Sequence, residues 1–479
     1  MMLFGLLTVY FLLLLWVSRM AGHGGNDAFF RGGRRSPWML VAFGMVGASI
    51  SGLTFVGEPG WVQSIDMTYM QMCIGFIAGY LLVAFVLLPI YYRLGLTSIY
   101  TYLEQRFGQT SYHTGAWFFI LSKLSGAAAK FYVVVEILQT CIADAYNIPY
   151  TLTAIVTLLF IWLYTRHGGI RALVWTDVLQ TAVLILALVL ILLRVCTMLD
   201  MNFTEAMTTV WNDPHSRMFE FQDFASRQNF WKQFISGIFI VVVMTGLDQD
   251  MMQKNLTCKN LRSAQLDMCS YGVLFVPVNY LFLALGVLLL MLYPRLGMDV
   301  PTSGDALLST IIYSGVLGQT ALALFTIGVV ASACSSADSS LTALTTSYCV
   351  DIMGMERTGD AKHAERMRQR VHILMIIAFL LCTLALHAMH NSSIMDLIYT
   401  LVSYTYGPLL GLFAFGIFTK REPRDRAVPY IAVASPVICY LIDSATLTLT
   451  GYKFGYEMLM FNGLLTFMGL WGVSKTPAS

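Results

Sequence analysis

The decapeptide ASACSSADSS, residues 331–340, decides the fold of this chain. Its hydroxyl side chains recur at i, i+3, i+4 and i+7, which places them on one face of a helix. The four residues on that face are Ser332, Ser335, Ser336 and Ser339. Asp338 lies at the edge of the same face, and the mostly apolar stretch 324–350 is long enough to cross a bilayer. The segment is therefore predicted to be a membrane-spanning helix with one polar face.

The polar face predicts a cation site. A carboxyl group and four hydroxyls at membrane depth are costly unless something offsets the lost hydration. A small hard cation would do so, because it takes oxygen ligands in place of water. The alternative is that each hydroxyl donates to a backbone carbonyl of its own helix. Four serines on one face beside Asp338 favour the ion.

The composition is that of a polytopic membrane protein. The chain has 479 residues, of which 57% are hydrophobic and only 12% charged, whereas soluble proteins carry about a quarter charged residues. Its nine cysteines show no paired spacing such as CxxC, which argues against a disulfide framework or a zinc site. No long polar segment could hold a catalytic or nucleic-acid-binding domain. We therefore expect no enzyme and no nucleic-acid partner.

Apolar segments of spanning length occur thirteen times, which predicts an all-α membrane protein of about thirteen transmembrane helices. Their approximate bounds are 2–18, 37–57, 68–92, 115–143, 149–165, 170–198, 231–252, 270–293, 318–350, 371–389, 394–418, 426–445 and 454–473. Lysine and arginine are concentrated in alternate loops, which predicts an external N-terminus and a cytoplasmic C-terminus in the cell membrane.

The second span, WMLVAFGMVGASISGLTFVG at 38–57, contains four glycines and is poor helix material. Such a span either packs closely against a neighbour or breaks and exposes backbone carbonyls, as in many transporters. Gly47, Ile50 and Thr54 share a face. The carbonyls of Gly47 and Ile50 could therefore meet the hydroxyls of the serine-rich helix.

A carboxylate in the sixth span provides a second possible cation ligand. Asp177 lies within GGIRALVWTDVLQT, residues 168–181, several residues into the span. A lone acid near a membrane surface is often only interfacial. Here Asp177 is a plausible partner for a second cation, together with Ser335, Asp338 and Ser339.

Two lysines and three further acids lie within or next to spans. Lys123 and Lys130 are seven residues apart and share a helix face, with Glu136 following. One alternative is that Lys130 pairs with Glu136 or another buried acid. The other is that one lysine neutralises an anionic substrate, because an intramembrane ammonium needs a negative partner. The stretch LDQDMMQK at 247–254 is expected to close the seventh span, with Asp248 and Asp250 at the cytoplasmic face, where gating contacts would form.

These marks, in this order, resemble the sodium:solute symporter family. The matching stretches are GASISGLTFVGEPG, GGIRALVWTDVLQ, TGLDQDMMQK, SACSSADSSLTAL and YTYGPLLGLFAFGIFTKR. The resemblance implies a core of two five-helix inverted repeats and transport by alternating access. The core repeats would be 37–198 and 231–418, with one extra helix at 1–22 and two more at 426–473.

The resemblance also implies the ligands of the coupling ion, one or two sodium ions. A first sodium site would use the carbonyls of Gly47, Ile50 and Ser332 and the hydroxyls of Ser335 and Ser336. A second sodium site, present in some members, would use four side chains, those of Asp177, Ser335, Asp338 and Ser339.

For the substrate, the resemblance implies a small organic anion such as a carboxylate or sugar acid. The positions at which sugar-transporting members hold the sugar are here Thr54 and Cys73, and their later lysine is Phe275. Ser49, Ser51 and Thr54 are instead similar to the hydroxyl row that sialic-acid carriers direct at a carboxylate. Lys123 or Lys130 would be the accompanying basic residue.

Three alternatives remain open at this point. The chain could carry a neutral sugar or amino acid with sodium, or it could be a proton-coupled carrier that uses Asp177 and Asp338. It could also be a solute sensor. A serine hydrolase is disfavoured, because no histidine lies in a motif near 332–339 and no GxSxG occurs there. The expected partners are a small-molecule substrate, sodium and the lipid bilayer, with a monomer as the functional unit.

Overall fold

The computed structural model describes residues 2–21, 25–224, 226–355, 361–389, 394–452 and 454–475. These residues are almost entirely helical. The helices are α1 (Met2–Met20), α2 (Asn26–Arg31), α3 (Trp38–Ser49), α4 (Gly52–Ile65), α5 (Tyr69–Leu82), α6 (Leu88–Leu94), α7 (Thr101–Arg106), α8 (Gln109–Leu138), α9 (Tyr150–Gly168), α10 (Ile170–Met198), α11 (Phe203–Asn212), α12 (Phe230–Val241), α13 (Gln249–Asn255), α14 (Leu261–Arg295), α15 (Ala306–Tyr313), α16 (Gln319–Ser347), α17 (Ala361–Met389), α18 (Ile394–Phe418), α19 (Val428–Thr450) and α20 (Glu457–Val473).

Single π-helical turns extend or join some of these helices, and they lie at Val83–Leu87, Gln139–Ala143, Val242–Gly246 and Tyr348–Ile352. Two short strands, β1 (Glu422–Pro423) and β2 (Ser474–Lys475), pair antiparallel. Pro423 faces Ser474 in this register, so the segment after α18 is held against the residues that follow α20.

The predicted all-α membrane architecture is confirmed. Among the described residues, seven helices are long and apolar enough to cross a membrane, and two bent helix pairs pass the same test. Four shorter apolar helices, within α1, α9, α18 and α20, complete the set. Together they account for the thirteen apolar segments that the sequence predicts.

Two spans are bent in the middle. The axes of α3 and α4 differ by 67°, and the helix Phe230–Gly246 meets α13 at 71°. At the first bend Ile50 is extended (φ −80°, ψ 102°), and the Ser51 side chain caps α4. At the second bend the Asp248 carboxylate caps α13 by accepting from the Asp250 backbone N–H at 2.8 Å. Each bend therefore has a side-chain cap for the helix that restarts after it.

The second bend differs from the sequence expectation. The seventh span ends just after the stretch 247–254, at Asn255, but Asp248 and Asp250 lie at a bend within the span and not at its end. The bent spans are the second and the seventh, which are the first helices of the two predicted repeats. The repeat boundaries 37–198 and 231–418, and the flanking segments 1–22 and 426–473, remain predictions.

The glycines of α3 permit close packing as well as the break. A Cβ on Gly47 would lie 2.1 Å from the Thr181 hydroxyl of α10, and a Cβ on Gly44 would lie 2.9 Å from the Asp177 Cβ. Helix α16 packs against α10 as well as α3. In the apolar 18-residue stretch of this span, 78% is buried inside the protein. The serine-rich helix is therefore at the centre of the protein, next to the first bend.

Candidate ion and substrate site

The first bend provides backbone oxygens for a cation. Helix α3 ends at Ser49, and among the described residues no backbone N–H donates to the carbonyl of Gly47 or of Ile50. The Ser336 hydroxyl of α16 reaches the same turn and donates to the Ala48 carbonyl at 3.3 Å. The bend in α3 and the serine face of α16 are thus in direct contact.

The other serines of the predicted first sodium site lie on the same helix and are buried. The Ser335 hydroxyl donates to Asp177 Oδ1 at 2.8 Å, which leaves the lone pairs of its oxygen available to a cation. The Ser332 hydroxyl donates to the Val329 carbonyl of its own helix at 2.9 Å. For Ser332 the predicted ligand is the backbone carbonyl, so this bond does not conflict with the prediction. Carbonyl and hydroxyl oxygens of this kind fit sodium, a hard cation.

One of the two carboxylates of the predicted second sodium site, that of Asp177, is already paired with a lysine. Lys254 Nζ of α13 lies 2.8 Å from Asp177 Oδ2, and both side chains are 1% exposed. Sequence reasoning missed this residue, although Lys254 ends the quoted motif TGLDQDMMQK. The ion pair joins α13, after the second bend, to α10.

Asp338 also has partners within the protein. The Tyr164 hydroxyl donates to its Oδ2 at 2.7 Å, and the Gln180 side-chain amide donates to the same oxygen at 3.2 Å. The Ser339 hydroxyl donates to Oδ1 at 3.2 Å. The two carboxyl groups therefore have different partners, a lysine for Asp177 and neutral hydrogen-bond donors for Asp338.

A central cavity of about 170 Å³ lies beside the first bend. Its polar lining includes Ser49, Lys123, Lys130, Asp248, Asp250, Ser336, Ser340 and Tyr406. Five aromatic side chains form its apolar wall, namely Tyr69, Phe76, Tyr80, Tyr271 and Phe275. One predicted sodium ligand, Ser336, therefore lines the same cavity as the predicted substrate residues Ser49, Lys123 and Lys130.

Lys123 is neutralised by both acids of the second bend. Its Nζ lies 2.9 Å from Asp248 Oδ2 and 2.8 Å from Asp250 Oδ2. The Tyr406 hydroxyl donates to Asp248 Oδ2 at 2.7 Å. Since two carboxylates surround one ammonium, Lys123 is fully neutralised and the three side chains together carry one net negative charge.

Lys130 differs from Lys123. It lines the same cavity, and no carboxylate among the described residues forms an ion pair with it. Glu136, the partner considered from sequence, contacts His387 Nδ1 at 2.9 Å instead. A lysine at this depth without a carboxylate partner is suited to an anionic ligand.

The remaining predicted substrate residues are divided between the cavity and its surroundings. Ser49 lines the cavity and shares a hydrogen bond with the Tyr271 hydroxyl. Ser51 is 3% exposed and holds the Thr54 backbone N–H at 3.4 Å as the cap of α4. Cys73 is fully buried. Ser51, Thr54 and Cys73 are not among the residues that line the cavity.

Comparison with known proteins places the chain in a family. The sodium:solute symporter family matches residues 29–428. The sodium/sialic acid symporter SiaT of Proteus mirabilis is 27% identical over 451 residues, which are 90% of this chain and 87% of that protein. NanT, the sodium/sialic acid symporter of Aliivibrio fischeri, is 26% identical over 460 residues, with 92% and 87% covered. The human sodium/iodide cotransporter is 25% identical over 413 residues, 84% of this chain but 63% of that protein.

Solved structures share the fold. A sodium-coupled sialic acid symporter in a substrate-bound outward-open state superposes with a TM-score of 0.82 at 22% sequence identity. The superposition covers 99% of this chain and 98% of that one. Mhp1, a nucleobase-cation-symport-1 family transporter, gives a TM-score of 0.58 at 15% identity, with 92% and 93% covered. Because the family match extends over most of the chain and the architecture agrees with it, this multi-pass membrane protein belongs to the sodium:solute symporter family.

Proposed function

We propose that the protein is a sodium-coupled importer of a small organic anion, a carboxylate or sugar acid. Family membership supports a sodium-coupled solute transporter. The observation that carries the choice of an anion is Lys130, which lines the central cavity without a carboxylate partner among the described residues. Sialic acid is supported as one candidate by the two bacterial relatives.

The chemistry of the cavity agrees with a carboxylate ligand. The Lys130 ammonium would offset the charge of the carboxylate, and a nearby hydroxyl such as that of Ser49 could donate a hydrogen bond. The aromatic wall offers an apolar surface for the rest of the solute. Phe275 stands in this wall, where sugar-transporting members have a lysine, so the cavity lacks one of the polar contacts of a sugar-carrier site.

Sodium would bind between the first bend and α16, through Gly47, Ile50, Ser332, Ser335 and Ser336. Ala48 and Ser336 line the substrate cavity, and they also contact each other at this bend. A cation here would hold α3 against α16 and so fix two elements of the cavity wall. Coupling follows if sodium and substrate stabilise the same arrangement of these helices.

Transport is proposed to proceed by alternating access of the two repeats, with a monomer as the functional unit. The N-terminus would be external and the C-terminus cytoplasmic, as the distribution of lysine and arginine indicates. A tenfold sodium gradient supplies about 1.4 kcal/mol per ion, enough for roughly tenfold accumulation. A second sodium would add this amount again and, with one net charge, about 2.3 kcal/mol per 100 mV. The number of sodium ions therefore sets the highest ratio of internal to external substrate that the carrier can maintain.

Thermal stabilisation of the purified protein tests the proposal. Sialic acid, short monocarboxylates, neutral sugars and amino acids would each be added with and without sodium, because a ligand that binds the native state raises its stability. We expect a carboxylate to stabilise the protein only in sodium. Lys130→Met should abolish this effect and Lys130→Arg should retain part of it. Lys420→Met, at the exposed loop after α18, is the control.

Other outcomes would select other functions. Stabilisation by a neutral sugar or amino acid that survives Lys130→Met would refute the anion proposal. Stabilisation that follows pH in sodium-free buffer would indicate a proton-coupled carrier instead. Binding without any uptake into proteoliposomes would indicate a solute sensor.

A further inference from the structure

Both carboxyl groups predicted to bind a second sodium ion are already bonded to other side chains of this chain. Asp177 binds the Lys254 ammonium at 2.8 Å through Oδ2 and accepts from Ser335 at 2.8 Å through Oδ1. Asp338 accepts from Tyr164, Gln180 and Ser339, as described above. Asp177 disagrees more strongly than Asp338 with the predicted second sodium site, because its partner is itself a cation.

Lys254 is held in place by its neighbours on α13. The Gln253 side-chain amide donates to the Phe30 carbonyl at 2.9 Å and to the Thr346 hydroxyl at 2.9 Å. On the other side, the Asn255 amide donates to the Ala264 carbonyl at 3.0 Å. These bonds connect α13 to three other helices. These contacts fix the position of α13 and so hold the Lys254 ammonium next to Asp177.

An ammonium group and a sodium ion can satisfy the same buried carboxylate. Each carries one positive charge and each is satisfied by oxygen atoms. A sodium ion brought to Asp177 with Lys254 in place would meet a like charge at contact distance in a buried environment, where such repulsion is least screened. The carboxylate, for its part, needs one cation for neutrality and already has it.

We propose that the Lys254 ammonium occupies the second cation position at Asp177 as a tethered cation, so that the protein couples a single sodium ion per cycle. The inference rests on the proposed sodium-coupled function and refines its stoichiometry. Sodium would bind at the first bend alone. With a monovalent carboxylate as substrate, one sodium makes the cycle electroneutral, so the membrane potential would not drive uptake.

Equilibrium binding of radioactive sodium to the full-length protein tests the proposal directly. We expect one sodium ion per wild-type protein. Lys254→Met removes the tethered cation and leaves Asp177 charged, so a second sodium ion should bind and the count should rise to two. Asp177→Asn combined with Lys254→Met removes both charges, and its count should return to one. Lys420→Met, in the exposed loop, should bind one.

The outcomes separate the two proposals. Two sodium ions bound to the wild type, falling to one in Asp177→Asn, would overturn the tethered cation while leaving sodium coupling intact. A Lys254→Met variant that folds and still binds one would overturn it as well. If Lys254→Met does not fold, the wild-type count alone decides. Absence of any sodium binding to the wild type would instead contradict the proposed function.

Discussion

Replacing Gly47 by alanine should separate two central helices and weaken the first sodium site. The new Cβ would lie 2.1 Å from the Thr181 hydroxyl oxygen, about 1.3 Å inside the 3.4 Å at which ordinary contact begins. Rotating the hydroxyl away would not suffice, because the Thr181 Cβ and Cα are also only 2.9 and 3.0 Å from the added atom. Helices α3 and α10 must therefore move apart by several tenths of an ångström.

The expected cost follows from overpacking of a well-packed interior, about 1–3 kcal/mol in the free energy of unfolding. Moving the last turn of α3 also displaces the carbonyls of Gly47 and Ile50. A tenfold loss of sodium affinity corresponds to about 1.4 kcal/mol, and we expect at least that loss. Both effects arise from one displacement, so they should appear together.

A denaturant titration of the purified protein and a sodium-binding isotherm measure the two effects. Gly5→Ala is the matched control, because a Cβ at Gly5 of α1 meets no atom within 4 Å. Alanine there should be neutral or slightly stabilising. Gly47→Ala combined with Thr181→Gly removes the two closest atoms and should recover part of the sodium affinity. A Gly47→Ala protein with wild-type stability and wild-type sodium affinity would refute the packing argument.

Three further changes have expected outcomes. Lys123→Met leaves the Asp248 and Asp250 carboxylates without their shared cation, so it should lower the free energy of unfolding by about 3–5 kcal/mol in a denaturant titration. Lys123→Arg keeps the positive charge and should retain most of the stability. Ser336→Ala removes the hydroxyl that contacts Ala48 and should weaken sodium binding about tenfold in the same isotherm; an unchanged affinity would exclude this hydroxyl as a ligand. Sodium-driven uptake of a stabilising carboxylate into wild-type proteoliposomes should not change when a potassium diffusion potential is imposed, whereas potential-dependent uptake would indicate a second sodium ion.

The spans and the serine face could be predicted from sequence because both are local properties. A bilayer requires about 20 consecutive apolar residues per helix, and the helical period assigns residues such as Ser335 and Ser336 to one face whatever their neighbours are. The glycines of the second span left two alternatives open, close packing or a break, and the structure shows both. The sequence analysis did not predict the break in the seventh span. The available signal was Asp248, because aspartate is a preferred N-cap residue and its carboxylate here accepts from the Asp250 backbone N–H at the start of a new helix.

The choice of ionic partners was decided by the tertiary structure. The sequence placed Lys123 and Lys130 on one face of α8 but offered no means to tell which of them is neutralised. The answer depends on how α8 packs against the second bend, which brings Asp248, 125 residues away in the chain, to Lys123. In the same way, an acid on α10 and a lysine on α13 are unrelated in sequence. Only the bend that turns α13 back into the protein carries Lys254 to Asp177.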